Sequence, residues 1–289
     1  MNKKAGSSED NTEELIKKYF EESKVRCEVF SIEGSEIQNK VKELSEQQFD
    51  IIVAAGGDGT VSSVAGILAG GNIPLGVLPC GTLNHFAKDI GMPLELEDAI
   101  KVIIAGNVVM LDIAEVNGRK FINNSSIGLY ADTVKKREAE QKHLYREKWA
   151  AMISAFFHSF KRFSLYGVEM KVKEKKTRLY TALAFVGNNK YTTELKNPGG
   201  RDRLDEGILS LYMTKCKTRF CLIKIFLSSL INKHEKSEDF VMHYTENVVL
   251  KTYKKFLDVS VDGEVVRMNS PLLYKIIPKS LPVVVPVKK

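Results

Sequence analysis

Residues 51–60, IIVAAGGDGT, constrain this chain more than any other stretch: a short apolar run stops abruptly on two glycines, an aspartate, a third glycine and a threonine. An uninterrupted apolar run bounded by glycine reads as a strand covered on both faces, the kind found in parallel α/β sheets. Apolar residues then recur at Val61, Val64, Ala65 and Leu68, which predicts a helix over 61–69. Gly56, Gly57 and Gly59 therefore fall on a strand-to-helix turn, where backbone can approach a phosphate and a helix N-terminus favours an anion. Asp58 puts a carboxylate into that anion-binding turn, and a carboxylate there needs a cation. Mg²⁺-nucleotide chemistry meets both demands. A plain glycine-rich turn with a capping aspartate explains the pentapeptide alone equally well.

A second segment changes the balance. Residues 73–78 form another short apolar run, which ends in PCGTLNHFAKDIGMP, residues 79–93. Gly81 and Thr82 again close a strand and open a helix. Two strand ends with Gly-Thr turns make two walls of one crevice at the carboxyl edge of a sheet, where α/β folds bind ligands. With both segments in hand, the chain resembles the diacylglycerol kinase catalytic domain, shared by bacterial lipid kinases, sphingosine kinases and ceramide kinases, over nearly its whole length. GGDGT alone also occurs in NAD kinases and, with variation, in phosphofructokinases. Followed by P-x-GT-x-N-x-FA, it is more specific to the lipid kinases. The resemblance implies ATP phosphates on Gly56, Gly57, Asp58, Gly59 and Thr60 and on Gly81, Thr82 and Asn84.

Length and composition agree. The chain has 289 residues, 44% hydrophobic and 27% charged, enough for two modest domains with cores. Cys27, Cys80, Cys216 and Cys221 lack metal-ligand spacing and a disulfide framework, which suits a reducing cytoplasm. No signal peptide is read at the start, and the apolar stretch 220–231, interrupted by Lys224, is too short to span a bilayer. The expected protein is soluble or peripheral. A net charge of +7 and a pI near 9.0 suit an anionic partner: nucleotide, nucleic acid or anionic lipid surface.

The start of the chain departs from the family. There, a first apolar strand feeds an Asn-Pro-x-x-Gly turn on the nucleotide phosphates. Here Asn2, Lys3, Lys4, Ala5, Gly6 and Ser7 resemble that turn, with Lys3 in the proline's place and no strand before it. By that resemblance Asn2, Gly6 and Ser7 would contact phosphate. A start codon assigned too late is the expectation; a missing inner strand or a disordered basic terminus is the alternative.

Residues 11–22 read as a helix, 27–32 as a strand, 35–47 as a helix and 96–105 as a helix capped by Gly106. Alternating strand and helix predicts a doubly wound parallel sheet. From Val108 the rhythm changes to serial short strands with turn signals, which indicates an antiparallel β-sandwich. The predicted fold is thus α/β plus all-β: a three-layer α/β nucleotide-binding domain over 1–110, a sandwich over 111–270, and 271–289 returning, by the resemblance, to the first domain. The active site is expected in the cleft between them. Residues 133–163 interrupt the sandwich with a basic-flanked, apolar-centred helical pattern. It reads as a core-packing helix and is compatible with contact to a lipid headgroup boundary.

Two acidic segments complete the reading. In NPGGRDRLDEGILSLY, residues 197–212, Asp205 and Glu206 precede a glycine at a strand entrance; by local sequence this is a polar turn. The resemblance implies a structural Mg²⁺ held by the Glu206 carboxylate and the Arg203 and Ile208 carbonyls, with Glu where the family usually has Asp. In VDGEVV, residues 261–266, Asp-Gly between two β runs is a common hairpin turn. The resemblance makes it a closing catalytic segment facing the GGDGT turn, with Asp262 assisting deprotonation of a lipid hydroxyl and Glu264 near nucleotide, metal or proton. Asp58, Asp262 and Glu264 all stay open as the base. His85 stands where many relatives have Asp and is given no chemistry.

The reading is an ATP- and Mg²⁺-dependent lipid kinase acting on a diacylglycerol-like or sphingoid hydroxyl. It would be cytoplasmic and associated peripherally with the inner face of the membrane through a transient anionic lipid surface. No nucleic-acid partner is expected, and a homodimer is compatible. Its rivals are an NAD kinase-like nucleotide kinase and a catalytically dead lipid-binding module.

Overall fold

The computed structural model describes residues 1, 9–128, 165–172, 175–192, 200–215 and 240–287. The phosphate-turn residues Asn2, Gly6 and Ser7, the helical pattern near 133–163 and the apolar stretch 220–231 lie outside them.

Strands β1 (Ile52–Gly56) and β2 (Leu75–Pro79) pair in parallel, from Ile52 opposite Leu75 to Gly56 opposite Pro79. Both are apolar and largely buried, as a strand covered on two faces must be. Helices α1 (Glu9–Glu22), α2 (Ile37–Ser45), α3 (Asp58–Leu68) and α5 (Leu96–Ala105) complete the layers. Their apolar stripes, such as Ile37, Val41 and Leu44 or Ala99, Ile100 and Ile103, enter one core with Leu75, Val77 and Leu78. Helix α5 ends at Gly106, which adopts the left-handed conformation of a helix C-cap.

Two expectations need correction here. Residues 27–32 do not join the sheet as a strand. The segment is extended with an isolated β-bridge at Ile32, and among the described residues its hydrogen bonds go to Met1: the Ile32 amide donates to the Met1 carbonyl at 3.0 Å, and the Met1 ammonium to the Phe30 carbonyl at 2.6 Å. An apolar cavity of about 320 Å³, lined by Met1, Phe20, Val29, Val41, Phe49 and Ile52 among others, separates it from β1. A strand is a paired object, and apolar sequence alone cannot make one. Second, α3 begins at Asp58 and not at Val61, so GGDGT contributes its last three residues to the helix itself.

The second half is a sandwich. One sheet runs β1-β2-β14-β11-β6-β7, with β3 on β14 and β4 on β3; the other runs β10-β9-β8-β5-β12-β13. These strands are β3 (Val108–Val116), β4 (Arg119–Phe121), β5 (Asn124–Gly128), β6 (Tyr166–Val172), β7 (Lys175–Thr181), β8 (Leu183–Asn188), β9 (Leu209–Thr214), β10 (Phe240–Thr245), β11 (Asn247–Thr252), β12 (Phe256–Val261), β13 (Glu264–Asn269) and β14 (Leu272–Val284). Alternate residues point inward, as a pleat requires. Val168, Met170, Val248, Leu250 and Leu272 of the first sheet share a core with Ile127, Val186, Leu211, Met213 and Val259 of the second. The sequence had marked no strand at 240–245.

Strand β14 joins the two halves. Its Tyr274 to Ile277 pair antiparallel with β3, a bulge follows, and Leu281 to Val284 continue along β3 while Val283 lies parallel to Leu75 of β2. One sheet therefore extends from the nucleotide-side core into the sandwich.

Candidate active site

The two Gly-Thr turns touch. A Cβ on Gly81 would lie 2.4 Å from the Gly57 Cα, and one on Gly56 would meet Thr60 Oγ1 at 2.6 Å. Gly81 is therefore needed where backbone packs on backbone, and Gly56 where the Thr60 side chain packs on the strand end, quite apart from any phosphate. Gly59 is different: nothing lies within 4 Å of its would-be Cβ, and it lines an open cleft. Gly59→Ala should leave thermal stability within about 1 kcal/mol of native, since alanine favours the helix. It should nevertheless weaken nucleotide affinity, measured by titration calorimetry, if phosphate lies against this turn. Unchanged affinity would remove Gly59 from the phosphate site.

Asn84 secures the second turn. Its Oδ1 accepts the Gly81 amide at 3.0 Å, while Nδ2 donates to the carbonyls of Gly81 at 2.8 Å and Pro79 at 3.3 Å. The side chain is thus engaged inside the turn, leaving the backbone and the exposed Thr82 to face a ligand. Helix α4 (His85–Asp89) follows directly, with His85 exposed. The half-buried Asp58 accepts the amide of Phe86 in α4 at 3.2 Å, so the first turn is tied to the second through this carboxylate.

Asp262 comes to the same place from the far end of the sequence. It and Gly263 form the tight turn between β12 and β13, both with positive φ (48° and 86°), so the hairpin reading holds. Its carboxylate is fully engaged. Oδ2 accepts Ser62 Oγ at 2.5 Å and the Ile122 amide at 2.8 Å; Oδ1 accepts the amides of Asn123 at 2.8 Å and Asn124 at 2.9 Å. Burial pushes this carboxyl above the usual aspartate range, while those four hydrogen bonds pull the other way. Ser62 lies one helical turn after Asp58 on α3, which brings Asp262 to the helix that opens with GGDGT.

Glu264 is exposed and forms an ion pair with Arg119, the first residue of β4. Asp262, Glu264, Arg119, Lys120, Gly59, Ser62, Ser63 and Gly66 line one cleft of about 550 Å³. The late carboxylates thus face the first turns of α3, although only Glu264 has an oxygen available to move.

The residues expected at a structural metal have protein partners here. Glu206 is exposed and accepts the Lys190 amide at 3.4 Å; the Ile208 carbonyl accepts the Asn189 amide at 2.9 Å; the Arg203 side chain pairs with Asp205. Among the described residues no group of three or more His, Cys, Asp or Glu side chains gathers as a metal site. The loop is held instead by Asp112, a buried carboxylate whose oxygens accept the amides of Gly207 at 2.6 Å and Lys279 at 2.8 Å.

Sequence reasoning missed Ser62, Arg119, Asp112 and Arg201. Ser62 could have been found from helical phase, since it shares a face with Asp58. The other three gain their roles from partners far away in sequence, which no local pattern marks.

Residues 1–116 match the model of the Diacylglycerol kinase catalytic domain. An uncharacterized protein of Synechocystis sp. is 26% identical over 264 residues, 89% of this chain and 60% of the relative's own length. A diacylglycerol kinase of Bacillus subtilis is 29% identical over 237 residues, 77% of this chain and 74% of the relative. The crystal structure of a diacylglycerol kinase from Bacillus anthracis shares the fold, with a TM-score of 0.70 at 18% identity over 98% of this chain and 94% of that one. The chain thus resembles the diacylglycerol kinase catalytic domain in sequence over residues 1–116, and it shares the fold of a solved diacylglycerol kinase.

Proposed function

We propose that this protein transfers the γ-phosphate of Mg-ATP to the hydroxyl of a diacylglycerol-like or sphingoid lipid, giving a phosphatidic-acid-type product. One observation carries the reading: two glycine turns at adjacent strand ends lie in contact, beside a cleft that also holds the Asp262–Glu264 hairpin. Adjacent strand ends in an α/β sheet are where nucleotides dock. The backbone amides of 56–60 and 81–82 cradle the phosphates, and Asp58 orients the Mg-ATP substrate. In the transfer step the lipid oxygen forms a bond to the γ-phosphorus as the bond to the β-bridging oxygen breaks, and ADP leaves. The hydroxyl proton goes to a carboxylate, since catalysis here is mostly positioning and charge neutralisation.

Glu264 suits that carboxylate better than Asp262. Both Asp262 oxygens already accept two hydrogen bonds, whereas Glu264 needs only to leave Arg119. Asp262 is then the anchor of the hairpin on α3. Work at a cytoplasmic membrane face is consistent with the net charge of +7 and with the absence, among the described residues, of a helix long and apolar enough to cross a bilayer.

The test is transfer of label from [γ-³²P]ATP to extracted lipids in the presence of Mg²⁺. A labelled lipid is expected. Label on NAD instead would favour the nucleotide-kinase rival, and lipid binding without transfer would favour a binding module.

A further inference from the structure

Arg201 lies in the buried joint between α4, the β4–β5 connection and the end of β8, and the lipid-kinase reading gives it nothing to do. Its side chain is wholly buried, and that of its partner Asp89 is 7% exposed. The guanidinium uses every edge. Nε donates to Asp89 Oδ2 at 2.8 Å, with Nη2 in ion-pair contact with the same oxygen at 2.7 Å; Nη1 donates to the carbonyls of Ile122 at 2.6 Å and Asn188 at 3.1 Å, and Nη2 to Asn123 Oδ1 at 2.7 Å. The Arg201 backbone amide adds a bond to Asp89 Oδ1 at 3.2 Å, and the Tyr191 ring covers the guanidinium with its centroid 5.4 Å from Cζ.

Asn123 passes the connection on, because its amide donates to Asp262 Oδ1, and Asp262 in turn accepts Ser62 on α3. Asp89, Arg201, Asn123, Asp262 and Ser62 thus form a continuous chain of hydrogen bonds. One end is the helix that follows the Gly81 turn; the other is the helix that opens with Asp58. A fully buried guanidinium is costly to dehydrate, so it is weak evidence for stability. What its planar fork of donors does supply is fixed geometry, which a lysine cannot copy.

We infer that Arg201 is a positioning residue, holding the α4 side of the crevice in register with Asp262 so that the phosphate turns and the Glu264 hairpin keep one separation. The purpose of that register rests on the lipid-kinase reading. Displacement of reacting groups by about 1 Å can cost on the order of 10²-fold in rate, so a small loss of register is measurable.

The experiment is a double-mutant cycle of Arg201→Lys and Asp262→Asn, read as kcat and as KM for ATP. Arg201→Lys should lower kcat by about tenfold or more, with KM for ATP changing less, and should add almost nothing in the Asp262→Asn background. Asp89→Asn, which keeps the arginine and an acceptor oxygen, should reproduce the kcat loss and stands in if Arg201→Lys does not fold. Losses that multiply across the cycle, or native turnover in both Arg201→Lys and Asp89→Asn, overturn the inference. A wild-type chain that phosphorylates no lipid sinks the kinase reading by itself. The cycle is then read as urea midpoints, where shifts that add overturn the coupling and shifts that do not add support it.

Discussion

Asp58→Ala is expected to lower phosphoryl transfer by at least about 10³-fold at saturating ATP, the scale of losing a charge aimed at the reacting phosphates. The fold should survive. Asp58 is half-buried in the first turn of α3 and accepts one amide, that of Phe86. Losing that bond and a favourable helix-dipole contact costs about 1–2 kcal/mol, a fraction of the stability of a domain this size. The far-ultraviolet circular dichroism spectrum should therefore match the native one while activity is gone. Native turnover by Asp58→Ala would remove this turn from the chemistry, and a collapsed spectrum would show that its bond to α4 matters more than its charge.

The second large effect is expected at Asp262, and there stability and rate should fall together. Asn in its place keeps one acceptor oxygen but turns an amide group toward donors that now have no partner. Ser62 Oγ and the Ile122 amide share Oδ2, and the Asn123 and Asn124 amides share Oδ1, so NH₂ in place of Oδ1 strands two amides, and in place of Oδ2 it strands the Ile122 amide while the Ser62 hydroxyl can turn to accept. A destabilisation of about 3 kcal/mol is the expected size for such unpaired buried donors. Transfer should drop by about 10²-fold because the hairpin carrying Glu264 loses its anchor. Urea unfolding beside single-turnover transfer checks both. If Asp262→Asn keeps native stability and loses only rate, Asp262 is the base after all and Glu264 is not.

Much of the fold was legible because its signals are local. The apolar runs before GGDGT and PCGT are strands, residues 96–105 form the expected helix, and the alternating segments after Val108 pair as a sandwich. Reading failed where a partner decides the outcome. Residues 27–32 have strand composition, but among the described residues they pair only with Met1 and line a cavity, and Ile32 alone carries a β-bridge. Strand β10 escaped notice because FVMHYT, among the described residues, pairs only along the edge of β9 and carries no turn signal of its own. The start of α3 was placed three residues late, since glycine at 59 argues against helix locally while Gly57 as N-cap and Asp58 in the first turn favour it. For the site, the glycines and Asp58 were visible as a pattern. That Asn84 is engaged within its own turn, and that Asp262 is an anchor, depends on hydrogen bonds that only the folded backbone brings together.

Strand β14 has a consequence for how this chain is made. On the ribosome, residues 52–79 emerge and can pair β1 with β2, yet that pair gains its next sheet neighbour only when Val283 arrives beside Leu75. The same strand is also the central neighbour of β3 and β11 in the sandwich. Neither half can therefore complete its sheet before β14 has emerged, unlike the domain-by-domain manner usual for larger chains. The nascent nucleotide-side core must wait with an open edge, a condition that invites chaperone binding and strand-edge aggregation. Once the strand is seated, the two halves share one sheet, and pulling on either transmits load directly to the other through continuous backbone.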